Sequence, residues 1–320
     1  MTLKRASILL GSCWIIFVMS SCQMKATLNE QALHTLKTTL NGQTEFVKAH
    51  AAEYLLGIGD TAEARKAFLT ENDLHASTPR YRIVIWRVLA ETENTPEGKR
   101  KWTDKILHVF GDLQAPDRLH ASETLARLGI SPLERLPEAT RASLASDNPN
   151  LRVYTRWAIS FSSDSILADS KRKFLDFAAS DSLLDIRKIS AYILRHMKGL
   201  TPVEWSALAT GALAEDTGSG FRQNYLNTAY VTFPGAGADT TLYGRVKAGI
   251  LQGDRYFSAE DRIGLAQALA ERGTSASIPV LISYLKNENV HGLYEPSTSV
   301  GADVRAAAAF AILKINRRDQ

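Results

Sequence analysis

The sequence has few cysteines, little net charge and no standard catalytic motif. Two cysteines, Cys13 and Cys22, occur in 320 residues, which excludes a disulfide scaffold and a zinc site built from cysteines. Lys and Arg total 38 against 34 for Asp and Glu, a formal net charge of +4. This is too close to neutral for a protein that binds nucleic acid through its charge. With 45% hydrophobic and 22% charged residues, the composition is that of a globular chain.

The sequence also lacks the short motifs that identify common enzyme classes. It contains no Walker loop, no G-x-S-x-G turn and no H-E-x-x-H pair. Its seven histidines do not occur at the close spacing of metal ligands. We therefore expect no catalytic residue, no metal site and no cofactor.

The first 22 residues have the pattern of an export signal. Lys4 and Arg5 precede an apolar stretch over 8–19, which is long enough for a signal peptide and short for a membrane span. Ser20 and Ser21 then precede Cys22, and this order resembles a bacterial lipobox. The resemblance implies lipidation (palmitate) of Cys22 and a lipoprotein of the bacterial cell envelope, with Gln23 compatible with the outer membrane.

Other interpretations of this segment remain open. A plain secretory signal or an uncleaved membrane helix would share its basic and apolar parts. The stretch 10–13, ending at Cys13, is a closer local match to a lipobox. Too few apolar residues precede it for a signal-peptide core, so Cys22 is the predicted lipidation site.

A basic residue recurs every 34 to 43 positions along the remaining chain. These residues are Lys48, Arg82, Arg118, Arg152, Arg187, Arg222, Arg262 and Arg305. An aliphatic residue stands seven positions after each one, and a mostly small residue stands three positions after it. Since both positions lie on one side of a helix, the pattern predicts eight helices with one buried face each.

A second helix is predicted between successive helices of this set. Thr95, Ser131 and Thr201 each precede a proline, as capping residues do, and Glu134 and Glu204 complete two capping boxes. The predicted second helices span 61–69, 96–110, 132–146, 164–179, 202–215, 240–252 and 277–286. The segment 81–88 is rich in β-branched residues but occupies a helical position in the repeat.

The repeated unit resembles HEAT repeats, especially the short bacterial type of phycobilisome-lyase proteins. The resemblance is closest at Asp303-Val304-Arg305 and Asp185-Ile186-Arg187, and the unit around Lys48 departs from it. It implies an all-α fold, a right-handed α-α superhelix (HEAT/armadillo-like solenoid) of about eight two-helix repeats. The corresponding division is a signal peptide over 1–22, a tether and first helix over 23–44, and a repeat domain over 45–320. Such a solenoid offers a long concave surface and no enclosed pocket.

Aromatic and arginine side chains form a candidate partner-binding stripe on the helices that would line this concave surface. The stripe consists of Trp86, Arg87, Arg156, Trp157, Tyr192, Arg195 and Tyr230. Such residues are common at interfaces. They would equally suit packing between neighbouring helices, and the column of basic residues would equally suit pairing between neighbouring units. The loop over 287–302 is a further candidate contact region.

The sequence favours a non-enzymatic binding or scaffold protein that recognises a protein partner or a polysaccharide at the membrane surface. A nucleic-acid partner does not fit the export signal and the small net charge. Two alternatives stay open: an envelope enzyme, such as a lyase acting on a polymer, and an accessory of a carbohydrate uptake or degradation system.

Overall fold

The computed structural model describes residues 26–197, 199–252, 257–286 and 298–318. Within these ranges the chain forms sixteen α-helices and one short 3₁₀ turn, with no strand. The all-α prediction is therefore confirmed, and the β-branched segment 81–88 lies in a helix. The signal segment with Cys22, and most of the loop over 287–302, lie outside the described residues.

No helix in the described part of the chain is both long enough and apolar enough to cross a membrane.

The helices are numbered in chain order. Helix α1 spans 26–42. The others are α2 (Glu45–Gly57), α3 (Thr61–His75), α4 (Tyr81–Thr92), α5 (Pro96–Gly111), α6 (Arg118–Arg127), α7 (Pro137–Leu144), α8 (Pro149–Ile159), α9 (Asp164–Ser180), α10 (Leu184–Met197), α11 (Pro202–Ala214), α12 (Arg222–Val231), α13 (Thr240–Gly249), α14 (Ala259–Arg272), α15 (Ile278–Leu285) and α16 (Ser299–Arg318).

The helices form two layers. Each even-numbered helix packs against the next even-numbered helix, from α2 through to α16. The odd-numbered helices lie outside, packed against the even-numbered helices beside them in sequence. Hydrogen bonds join corresponding turns of neighbouring inner helices, such as Arg87 to Thr124 and Thr228 to the Ala191 carbonyl. The inner helices therefore run parallel, with their N-terminal ends on one rim.

The inner layer closes into a ring, because α16 packs against α2. At this seam His50 lies 2.9 Å from Asp303, and the rings of Tyr54 and Phe310 stack at 4.8 Å. The side chain of Asn316 donates to Asn29 of α1 on the opposite rim. The first and last inner helices therefore cover each other at this seam.

The inner helices carry the predicted buried column. The residues seven positions after each basic residue are all at most 8% exposed. They are Leu55, Leu89, Leu125, Ile159, Leu194, Ala229, Leu269 and Ile312. The helical register predicted from the sequence is therefore confirmed, and this column forms the contact between inner and outer layers.

The basic column holds the layers together rather than forming an open cationic groove. Arg82 bonds Asp117 at 2.7 Å, and Arg187 bonds Glu215 at 2.6 Å. Arg118 donates to the carbonyl oxygens of Phe110 and Ala139. Multidentate contacts of this kind suit the planar guanidinium. They support the structural interpretation of the column.

One of the two predicted capping boxes is present. The Thr201 side chain accepts from the Glu204 N–H, and the Glu204 carboxylate accepts from the Thr201 N–H. The prediction of a box at Ser131 and Glu134 is wrong, since α7 begins at Pro137, five residues after the predicted start at Pro132. The Ser131 hydroxyl instead accepts from the Leu133 N–H within a turn.

Candidate functional site

The inner helices surround a central cavity of about 560 Å³ that is open to solvent. Its walls come from seven of the eight inner helices, all except α4. The volume lies in the range of small-molecule and cofactor sites. A deep pocket formed by many helices is therefore the strongest candidate site in the described part of the chain.

The cavity opens at the rim formed by the N-terminal ends of the inner helices. Val47, Ala259 and Val300 line it, and each lies in the first turn of its helix. Helix α1 begins at the other rim, where Asn29 meets Asn316 near the end of α16. The chain segment that leads back towards Cys22 therefore joins the ring on the side away from this mouth.

A carboxylate shared by two arginines lies at the cavity wall. Glu53 accepts from Arg87 of α4 and from Arg127 of α6, both at 2.6 Å. Burial alone would raise the pKa of Glu53, but the charges of Arg127 and Arg87 overcome this effect and hold the pKa at about 2. Glu53 is therefore ionised at neutral pH and ties three inner helices together.

A second carboxyl group near this cluster has the opposite shift. Glu91 of α4 is exposed to solvent. Partial loss of water around its carboxyl group and the negative charge of Glu53 raise the pKa of Glu91 to about 7. The two carboxyl groups thus differ in protonation near neutral pH.

The seam contributes a histidine and a tyrosine to the cavity. Nδ1 of His50 lies 2.9 Å from Oδ2 of Asp303. Burial lowers the pKa of His50, but the bond to Asp303 outweighs it and the net shift is upward. The Tyr54 hydroxyl accepts from the Gln267 amide at 3.0 Å, and burial raises the pKa of Tyr54. Residues of α2, α14 and α16 thus form one wall.

The opposite wall contains Tyr192 and Arg195 of α10. The Arg195 guanidinium lies 5.6 Å from the centre of the Tyr192 ring. His196 donates from Nδ1 to the Tyr192 carbonyl oxygen, and partial loss of water around its ring lowers the pKa of His196 to about 4. The imidazole is therefore neutral at pH 7. The Trp157 ring packs edge-on against Tyr192 at 5.9 Å.

Two polar atoms on this side of the cavity have unused hydrogen-bonding capacity. Nε of Arg195 and Oδ1 of Asn224 are buried and have no hydrogen-bond partner among the described residues. Both side chains line the cavity. Buried polar groups normally have partners, so these two side chains are the polar part of the wall that is least satisfied by the protein itself.

Only part of the predicted partner-binding stripe lies at the cavity. Tyr192 and Arg195 line the cavity, and Arg87 reaches it through Glu53. Trp86, Trp157 and Tyr230 are buried between helices and do not line the cavity, which corrects their place in the stripe. Arg156 is also outside the cavity, since it bonds Asp169 of the outer helix α9. Large aromatic rings at these positions fill the space between helices.

Most of the cavity residues have no sequence pattern that predicts them. His50, Glu53 and Tyr54 come from α2, while Gln267 and Asp303 come from α14 and α16. The residues of α2 are more than 200 positions from those of α14 and α16, and the two groups meet only because the ring closes. The one signal in the sequence was Asp303, which belongs to a segment where the repeat resemblance is closest.

The described residues contain no group of three or more His, Cys, Asp or Glu side chains that could hold a metal ion. The cavity lining offers hydrogen-bonding groups, charges and aromatic side chains to a ligand. In comparisons with known proteins, no family model, no curated protein and no solved structure matches the chain.

Proposed function

We propose that this chain is a non-enzymatic binding protein of the bacterial cell envelope that takes an extended polar ligand into its central cavity. The ligand is a segment of a polysaccharide or of a protein partner. One observation carries the proposal: the cavity is lined by the side chains of Arg195 and Asn224, each of which has a polar atom without a partner in the described chain. Such a site is completed by a ligand.

We also propose that the ring is a HEAT-like right-handed α-α superhelix of about eight two-helix repeats. The recurrence of the basic and aliphatic positions on all eight inner helices supports this origin. Contact between α16 and α2 turns the concave face of such a superhelix into the wall of a cavity.

The topology supports a role at a membrane surface. A lipid on Cys22 would hold the chain through the segment that precedes α1. Because α1 begins at the rim opposite the mouth, the mouth would face away from the bilayer. A ligand outside the membrane could then reach the cavity directly.

Filling the cavity tests the binding function. Val47 lines the cavity, whereas Val203 is 81% exposed on the outer helix α11. Val47→Trp should abolish capture of material from a polysaccharide and protein extract of the envelope, and Val203→Trp should not. Equal capture by both variants would contradict binding in the cavity.

Metabolic labelling tests the proposed location. The wild-type chain, expressed in a bacterial host, should incorporate labelled palmitate and fractionate with membranes. Cys22→Ala should remove the label, while Cys13→Ala should keep it. The reverse result would assign the lipid to Cys13.

A lyase acting on a polymer is the second candidate, favoured by the two carboxyl groups with opposite pKa shifts. Glu53 and Glu91 have pKa values of about 2 and about 7, and such divergence is common among acid-base residues of enzymes. A lyase would release unsaturated sugars that absorb ultraviolet light from envelope polysaccharide, and Glu91→Gln would stop this release. Binding without such products would favour the non-enzymatic function.

A further inference from the structure

The basic side chains that line the cavity differ in their pairing. Arg127 bonds Glu53 at 2.6 Å, and Lys188 bonds Glu260 at 3.1 Å. Arg195 forms no salt bridge or hydrogen bond among the described residues, and its Nε is buried. The Arg195 side chain is partly buried and its guanidinium has no anion partner, so Arg195 is the place in this wall where a ligand's negative charge would be stabilised.

The Glu260 carboxylate attracts Arg195 but forms no salt bridge with it. Its guanidinium lies over the Tyr192 ring at 5.6 Å, which leaves its edge available for in-plane hydrogen bonds. The Glu260 carboxylate, on α14, is held by Lys188 instead. Burial lowers the pKa of Arg195, but a guanidinium keeps its charge in proteins. The charge therefore faces the cavity.

The other lining groups suit a sugar. Tyr54, Tyr154 and Tyr192 supply aromatic rings with hydroxyl groups, and Asn224 and Gln267 supply planar amides. Aromatic faces accept the apolar face of a sugar ring, and amides pair with hydroxyl groups in a mostly preformed site. The cavity volume of about 560 Å³ suits a short oligosaccharide segment better than a folded partner.

We propose that the cavity recognises an acidic saccharide, whose carboxylate or sulfate ester is bound by Arg195 and whose hydroxyl is bound by Asn224. This assignment of the ligand rests on the proposed binding function. A planar guanidinium binds either oxyanion through paired, charge-assisted hydrogen bonds. Arg195 then selects acidic over neutral sugars.

Paired oligosaccharide probes test this selection. The first arm uses uronate trisaccharides and their methyl esters, and the second uses sulfated trisaccharides and their desulfated forms. Binding is followed by calorimetry and by the fluorescence of Trp157, which contacts Tyr192. We expect an acidic member of one arm to bind at least tenfold more tightly than its neutral counterpart. Arg195→Gln should remove this preference.

Two controls separate ligand recognition from a structural role. Arg156→Gln changes an arginine that pairs with Asp169 outside the cavity, and it should leave the preference unchanged. Arg195→Gln should melt close to the wild-type temperature, because Arg195 has no salt bridge or hydrogen bond to lose among the described residues. A lower melting temperature with the preference intact would make Arg195 a structural residue and overturn the proposal.

The remaining outcomes are also decisive. Equal affinity for acidic and neutral members, abolished by Val47→Trp, would reject Arg195 as the selector and keep the cavity as a binding site. Binding of an acidic peptide with no affinity for any saccharide probe would reject the saccharide class. Binding of no probe in either arm, together with wild-type capture of envelope material that Val47→Trp abolishes, would reject the acidic saccharide alone.

Discussion

At the scale of single residues, the cavity wall depends on a carboxylate that neutralises two arginines. Glu53 contacts Arg87 and Arg127 from two different helices, and all three side chains are mostly buried. Removing one member of a buried cluster leaves the others without compensation. Glu53 should therefore matter for stability in addition to any role in binding.

We expect Glu53→Gln to lower the free energy of unfolding by about 3 kcal/mol, because two buried guanidinium groups lose their shared anion. Glu123→Gln is the matched control, since Glu123 lies 3.8 Å from Arg127 in a looser contact. It should cost under about 0.5 kcal/mol. Denaturant unfolding measures the free energy of unfolding of both variants. Equal losses would contradict the stabilising role of Glu53.

The contact of Glu53 with its two arginines also makes the stability of the chain depend on pH. The pKa of Glu53 is about 2 in the folded chain, below its ordinary value of 4.5. Its stabilising effect is thus fully present above pH 4.5 and is lost as pH falls towards 2. The stability difference between wild type and Glu53→Gln should shrink over this window.

Trp157 tests the packing interpretation of the aromatic stripe. It is 1% exposed and contacts the rings of Tyr192 and His196. Trp157→Ala should cost about 3–5 kcal/mol, as truncation of a buried aromatic does. Arg156→Ala removes a partly exposed pair with Asp169 and should cost under about 1 kcal/mol. A wild-type melting curve for Trp157→Ala would contradict its packing role and make Trp157 a candidate for partner binding again.

At the scale of helices, much of the fold could be predicted from the sequence. The positions three and seven after each basic residue fall on the buried faces of the inner helices, because a helical period marks a buried face. Helix ends were less predictable. Ser131-Pro132 and Thr201-Pro202 have the same local pattern, yet only the second begins a helix. A second proline, Pro137, offers another start in the first case.

The two glutamates of these predicted capping boxes give a matched test. The Glu204 carboxylate accepts from the Thr201 N–H at 2.8 Å, whereas Glu134 precedes α7 and lies outside it. Glu204→Ala should lower stability by about 0.5–1 kcal/mol, and Glu134→Ala should leave it within about 0.5 kcal/mol. Thermal melts of the two variants decide this. A larger loss for Glu134→Ala would place the α7 start at Pro132.

At the scale of the whole molecule, ring closure makes the cavity, and the sequence carries no local signal for it. The contact of α16 with α2 depends on the rotation between successive helix pairs summed around the ring. Small differences in each packing angle decide whether the ends meet. Repeat spacing does not contain these angles, so the walls formed by His50 and Asp303 or by Tyr54 and Gln267 could not be predicted.

The seam itself provides the last test, through a glycine that the ring covers. A side chain at Gly57 would place its Cβ 2.8 Å from Cε2 of Phe310, whose ring stacks on Tyr54. Gly57→Val should push Phe310 away and destabilise the chain by about 1–3 kcal/mol, as overpacking does. It should also enlarge the radius measured by small-angle scattering, because α16 loses its contact with α2. Gly42→Val is the matched control, since no atom lies within 4 Å of its Cβ position. If Gly57→Val matched this control in both stability and radius, the seam would be open in solution and the cavity would be an open groove.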